Sequence, residues 1–323
     1  MDFYCRKSKE SFIQSGGKLV SKDSVIAMKD IHGHLVPAFF IQDKNFNEFS
    51  ATNAEELHRN AMAWLHSTHE TTEESLRTRL ISEIPAVRKA GALKVLVTSC
   101  GEGNDLPFLF RRFPDAVFYI QDVSEQMLTA AIKKTIEYEG AIKKFFWLGD
   151  ACHLPFQDQT FDVVYHFGGL NLFTSPAEGV SEMHRVAKND GVVLFGDEGI
   201  APFLRQSEIG RALIKNNPLY DSSPPLSSIP EYVDDFKLQY IFHNCFYLVT
   251  YRKIENHNIN IDVPHEGYRG GSIRTRFYGQ LEGIDPKLRD ALYDAAKSLR
   301  MSRVALLQEL IVSGLERLPN DKN

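Results

Sequence analysis

The sequence predicts an α/β fold, a doubly wound parallel sheet with a small N-terminal module and a separate C-terminal tail. Three observations carry this prediction. Apolar β-branched runs alternate with helical patterns from about residue 91 to 200. One such run, 94-KVLVTSCGEGNDLPFL-109, breaks at a glycine-bearing turn and restarts as a helix. Carboxylates then stand at the ends of the next runs, where open parallel sheets bind their ligands.

Composition sets the outer bounds. The 323 residues exceed one average domain and suffice for a sizeable core. With 43% hydrophobic and 24% charged residues, the chain reads as an ordinary globular protein. A net charge of −5 argues against a globally basic nucleic-acid binder, although a local patch remains compatible with it. The cysteines, Cys5, Cys100, Cys152 and Cys245, are scattered with no CxxC pair. Neither a zinc site nor a disulfide framework is indicated, and reduced cytoplasmic thiols are expected. The N-terminal stretch lacks the apolar core of a signal peptide, and no apolar run approaches a membrane span.

In chain order, residues 1–50 read as short strands and turns, with Lys18–Val20 and Val36–Phe40 as the strand pieces. This module is expected to bind no metal, because its histidines, His32 and His34, and the nearby His58 and His66 have no ligand-like spacing. Residues 51–90 read as helices, with Leu57, Met62 and Leu65, then Leu76, Leu80 and Ile84, at helical intervals. Strands are predicted at Lys94–Thr98, Val117–Gln121, Lys144–Leu148, Phe161–Phe167 and Gly191–Phe195. Helices are predicted between them at Asp105–Arg112, Glu125–Tyr138 and Ala177–Ala187. A hairpin follows around His243-Asn244, after a Pro- and Ser-rich loop over 221–230. The domain boundaries read as 1–50, 51–268 and 269–323.

The glycine turn frames the candidate site. Gly101 and Gly103 permit backbone angles and close approaches that a Cβ blocks. With Ser99 they form a strand-turn-helix junction whose free N–H groups suit a ligand held against backbone. Asp122 ends the second strand, about 20 residues on, where a carboxylate can accept from both hydroxyls of a ribose. Asp150 ends the third, where a carboxylate can accept from the exocyclic amine of adenine. Asp197 and Glu198 end the fifth.

Four segments in order, VLVTSCGEG, IQDVSEQML, GDACHLPFQDQTFDVV and EMHRVAKNDGVVLFGDE, resemble the class I S-adenosylmethionine-dependent methyltransferases. The likeness is greatest to the ubiquinone and menaquinone biosynthesis branch and covers about residues 90–200. It implies a Rossmann-like seven-stranded sheet and S-adenosyl-L-methionine as cofactor, held by Ser99, Gly101, Gly103, Asp122, Val123, Asp150, Ala151 and His166. It implies methyl transfer to an oxygen, nitrogen or carbon of a small-molecule substrate. The sequence departs from the family at Val97, where an acidic residue usually helps hold the cofactor's amino group, and at Ser99, where a glycine usually stands.

Since the transferred methyl is already activated, such an enzyme needs mainly positioning and sometimes a base. His166 and Glu198 are the catalytic candidates. His166 can instead be a packed structural histidine. Asn171, Asp197 and Tyr220 are substrate candidates, with loop capping, a solvated strand end and simple packing as their alternative roles.

The tail, from about 272 to 318, resembles ribbon-helix-helix units: an alternating strand 275-TRFYGQLEGI-284, then helices starting at Asp285-Pro286 and Ser302. Such units pair two chains through their strands and can enter the DNA major groove. Eight Lys and Arg against six Asp and Glu over 274–318 make a weak basic footprint. A homodimer is therefore expected, with nucleic acid as the disfavoured partner. A DNA-binding regulator that senses cofactor is the alternative function.

Overall fold

The computed structural model describes residues 2–39, 53–88, 91–256, 259–266, 272–278 and 285–318. These fall into two compact units, 1–256 and 257–323.

The first unit opens with short strands, β1 (Tyr4–Cys5), β2 (Glu10–Ser11), β3 (Ile13–Ser15), β4 (Lys18–Ser21), β5 (Ser24–Ile31) and β6 (His34–Ala38). Helices α1 (Ala54–Thr68) and α2 (Glu73–Ser82) follow. The alternating region comprises β7 (Lys94–Val97), α3 (Leu106–Arg112), β8 (Val117–Asp122), α4 (Glu125–Lys134), β9 (Lys143–Leu148), β10 (Phe161–Phe167), α5 (Pro176–Val186) and β11 (Ala187–Glu198). It closes with α6 (Glu208–Asn216) and the hairpin β12 (Val233–Ile241) and β13 (Phe246–Lys253).

The principal sheet has the order β12-β13-β11-β10-β7-β8-β9-β6-β5-β4-β3. Its central strands β9, β8, β7, β10 and β11 are parallel, and β13 enters antiparallel between β11 and β12. The order reverses at β7, whose neighbours are β8 on one side and β10 on the other. Seven of the sheet's strands run from β12 to β9, and β6 to β3 continue the sheet beyond β9.

The N-terminal module is an extension of this sheet. Its strands β3 to β6 form antiparallel hairpins, and β6 docks in parallel on β9 through the Ala38–Leu148 pair. Without it β9 would be a bare edge with unpaired backbone groups.

Alternation along the strands sorts the core into two layers. Val95 and Val97 of β7 face the side covered by Leu76 and Leu80 of α2, Leu106 and Leu109 of α3 and Leu128 of α4. Leu96 faces the other side, with Trp147, Val164, Phe195 and the α5 residues Val180 and Met183. Helices thus cover both faces, as a parallel sheet requires. Ser124 and Ser175 cap α4 and α5 by accepting from Met127 N and Glu178 N. The structure breaks the predicted Glu125–Tyr138 helix at Thr135, whose hydroxyl donates back to the Ala131 carbonyl and which precedes a 3₁₀ turn over Ile136–Tyr138.

The second unit holds α7 (Ile273–Tyr278), α8 (Pro286–Ser298) and α9 (Arg303–Glu316). Two of the expected features are helices with the expected caps, Asp285 accepting from Lys287 N and Ser302 from Ala305 N. The expected ribbon strand is not: Ile273–Tyr278 is helical, and 279–284 lie outside the described residues. An alternating apolar pattern over six residues does not by itself separate strand from a short helix.

Candidate functional site

A cavity of about 290 Å³ opens at the carboxyl ends of β7, β8, β9, β10 and β11. Its position is the topological switch point of the sheet, where α/β folds bind ligands.

The floor is the glycine turn. Ser99 adopts φ +48° and Gly101 φ +54°, both in the left-handed region. Ser99 N donates to Gln121 Oε1 at 2.9 Å, and Gln121 Nε2 donates to the Gly149 carbonyl. Gln121, fully buried, therefore ties the ends of β7, β8 and β9 together. Gly101 N donates to Asp122 Oδ2 at 2.8 Å, while Ser124 N donates to Oδ1 at 2.8 Å. Burial lifts the Asp122 carboxyl to about 6 despite these amides. Asp150 accepts from Cys152 N at 2.8 Å.

The sequence candidates sort clearly. Ser99, Gly101, Asp122, Val123, Asp150, Ala151 and Glu198 all line the cavity. Gly103 does not. Its φ is +76°, and a Cβ there would lie 2.9 Å from Leu106 Cδ1 and 3.0 Å from Ala131 Cβ, so it serves the packing of the turn on α4.

His166 is also absent from the wall. It is fully buried, with Nδ1 3.1 Å from Thr98 Oγ1 and 3.2 Å from the Thr98 carbonyl. Burial drives it down to about 4, which keeps it neutral. Its ring meets the wall residue Phe173 edge-on at 5.2 Å. The placement corrects the expectation of a catalytic or cofactor-touching histidine. The sixth residue of β10, it is buried beside Thr98 and behind Phe173.

Asn171, Asp197 and Tyr220 likewise stand behind the wall. Asp197 is fully buried and accepts from the amides of Gly169, Asn171 and Glu198. Burial and the neighbouring Glu198 push its carboxyl up. Asn171 Nδ2 donates to the Glu198 carbonyl at 2.8 Å. Tyr220 is 1% exposed and buttresses the wall residue Phe246 edge-on at 5.9 Å. Asp197 and Asn171 hold the backbone of Glu198, and Tyr220 backs Phe246, in place of the direct substrate contacts expected of the three.

Other wall residues escaped the sequence reading. Helix α1 presents His58, Ala61, Met62 and Leu65, one helical face, and α2 presents Leu76 and Arg77. Phe167 and Phe246 stack with centroids 6.1 Å apart, and Phe173 and Leu219 add further apolar surface to the cavity wall. Asn217 stands beside them. The 57/62/65 spacing predicts the helix, but nothing local marks the adjoining 58/62/65 face as ligand-facing. Among the described residues no group of three or more His, Cys, Asp or Glu is placed to hold a metal ion.

The sheet order, the turn and the strand-end carboxylates define a Rossmann-like ligand-binding domain, and sequence comparison agrees on its class. The chain matches the methyltransferase domain family over residues 96–195. It is 33% identical over 102 residues to a ubiquinone/menaquinone biosynthesis C-methyltransferase of Dinoroseobacter shibae, covering 31% of this chain and 40% of that one. It is 31% identical over 123 residues to a malonyl-[acyl-carrier protein] O-methyltransferase of Herminiimonas arsenicoxydans, covering 38% and 43%. The chain thus spans less than half the length of these relatives. Among solved structures, a phosphoethanolamine N-methyltransferase of Haemonchus contortus bound to S-adenosylhomocysteine aligns with a TM-score of 0.49 at 13% identity, over 64% of this chain and 59% of that one.

Proposed function

We propose that the chain is an S-adenosylmethionine-dependent methyltransferase acting on a small molecule with an apolar body. The observation that carries this is the joint presence of Asp122, Asp150 and the glycine turn on one cavity wall. These residues fit the cofactor. Asp122 has carboxylate oxygens at the end of β8 to accept from ribose hydroxyls. Asp150 and the backbone of Ala151 suit the adenine edge. Gly101 leaves the backbone bare, the nearest atom to a Cβ there being His58 Nε2 at 3.7 Å.

The cofactor, when bound, supplies an activated methyl group on its sulfonium. The protein's part is to hold the acceptor in line and to exclude water. Phe167, Phe173, Leu219 and Phe246 provide an apolar seat for the acceptor's body. Glu198, at the end of β11, accepts a hydrogen bond or a proton from the acceptor's polar group. Asp197 and Asn171 hold Glu198 in place through its backbone. The named relatives methylate carbon and oxygen, so the acceptor atom stays unassigned between them and nitrogen.

No observation favours the DNA-binding regulator. Its reading needs a ribbon strand where Ile273–Tyr278 is helical. A crystal structure with S-adenosylhomocysteine tests the proposal. The ribose is expected at Asp122 and the sulfur towards Glu198. Ligand elsewhere, or none at saturating concentration, overturns it.

A further inference from the structure

Arg77 and Asp105 form an ion pair on the cavity wall, with Nη1 donating to Oδ1 at 3.1 Å. Arg77 is only 5% exposed. Its Nε donates to Glu73 Oε1 at 2.9 Å. Its Nη2, however, reaches only the thioether of Met62, another wall residue, at 3.5 Å. A sulfur is a weak acceptor, so part of a buried guanidinium fork is left poorly satisfied where the cavity begins. Burial also pushes the Asp105 carboxyl up, against the pull of Arg77. A buried ion pair adds little stability over apolar residues of similar size, so stability alone does not account for this one.

The order of the strands says what the pair faces. Asp150 follows β9, Asp122 ends β8, and the glycine turn follows β7, the next strand along. A nucleoside held by the first two carboxylates sends its 5′ substituent past the turn. Asp105 stands directly after that turn, at the N-terminus of α3. Arg77 is the one Lys or Arg on the wall among the described residues. The Val97 side chain, at the end of β7, is apolar, 2% exposed and absent from the wall, so that strand end offers no charge to a ligand.

We propose that Asp105 and Arg77 form the subsite for the amino-acid end of the cofactor. The Asp105 carboxylate takes the ammonium, and Arg77 Nη2 turns from Met62 to the ligand carboxylate. This rests on the cofactor reading above. It places the ammonium's counter-charge at the start of α3 instead of at the end of β7.

The test is a cycle between protein and ligand. Two ligands are titrated by calorimetry: S-adenosylhomocysteine, and 5′-methylthioadenosine, which keeps the nucleoside and the sulfur but lacks the amino acid. The native chain is expected to prefer the first. In Asp105→Asn, affinity for S-adenosylhomocysteine should fall roughly 10- to 100-fold, the worth of one charge-assisted hydrogen bond, while affinity for 5′-methylthioadenosine holds. Retained 5′-methylthioadenosine binding also shows that the variant is folded. Arg77→Lys, which keeps the charge but loses the fork, should show the same selective loss and serves if Asp105→Asn does not fold. If neither variant binds 5′-methylthioadenosine, decarboxylated S-adenosylhomocysteine on the native chain decides, with affinity equal to the parent ligand overturning the proposal. Losses of equal size for both ligands, or no loss, also overturn it. A native chain that binds neither ligand fails the cofactor reading itself, a result distinct from failure of the subsite.

Discussion

The amide of Gly101 donates to the Asp122 carboxylate at 2.8 Å, joining the turn after β7 to the end of β8. The carboxylate proposed to receive a ribose is thereby oriented by the backbone of the glycine turn. Because burial holds that carboxyl at about 6, its ionisation falls in an accessible pH range.

Cofactor affinity should therefore depend on pH with a definite sign. The ionised carboxylate accepts from both ribose hydroxyls, and the protonated form loses acceptor capacity. Affinity for S-adenosylhomocysteine is expected to be full above about pH 7 and to fall as pH drops through 6, by up to about tenfold per unit. Asp122→Asn should bind weakly and flatten that limb. A native profile that is flat between about pH 5 and 8 removes Asp122 from the ribose site.

The two ends of the turn should respond oppositely to substitution. Ser99 holds φ +48°, which costs an L-residue energy and costs glycine none. Ser99→Gly is expected to raise stability by about 0.5–1 kcal/mol in denaturant unfolding. Gly103→Ala combines φ +76° with a 2.9 Å approach to Leu106, and should cost about 2 kcal/mol or more. Similar midpoints for both variants would contradict the turn geometry.

His166 should behave as a structural residue. Its imidazole is buried, neutral and bonded at Nδ1 to Thr98. His166→Gln is expected to lower stability by about 1–3 kcal/mol, while turnover per folded molecule changes only a few-fold. Turnover down by about 10²-fold with stability intact would restore a catalytic base there.

The tail is expected to pair two chains. Helix α9 exposes Leu310, Ile311 and Leu315, an apolar surface of the kind that marks an interaction site. Light scattering should give a dimer for the full chain and a monomer for residues 1–256, the first compact unit. A monomeric full chain ends the dimer account.

The parts legible in the sequence were those written locally. The β-branched runs that became β7 to β11 sit on both faces of buried strands, so their composition alone marked them. Asp122 and Asp150 were legible because a strand end is a fixed place in such a fold. What escaped were relationships across the chain. Arg77 reads along its helix as an ordinary i,i+4 partner of Glu73, and only the folded sheet brings it 28 positions forward to Asp105. Among the described residues, β6 docks on β9 through the Ala38–Leu148 register pair, which no local pattern encodes. His166 misled because a strand-end histidine and a histidine one layer below look alike in one dimension.

The most direct test of the central claim is calorimetric titration of the native chain with S-adenosylhomocysteine beside Asp122→Ala. The account predicts one-to-one binding by the native chain. It predicts a roughly 10- to 100-fold weaker affinity for a folded Asp122→Ala protein, from the loss of charge-assisted hydrogen bonds to the ribose. No binding to the native chain, or equal affinity in the two proteins, would contradict it.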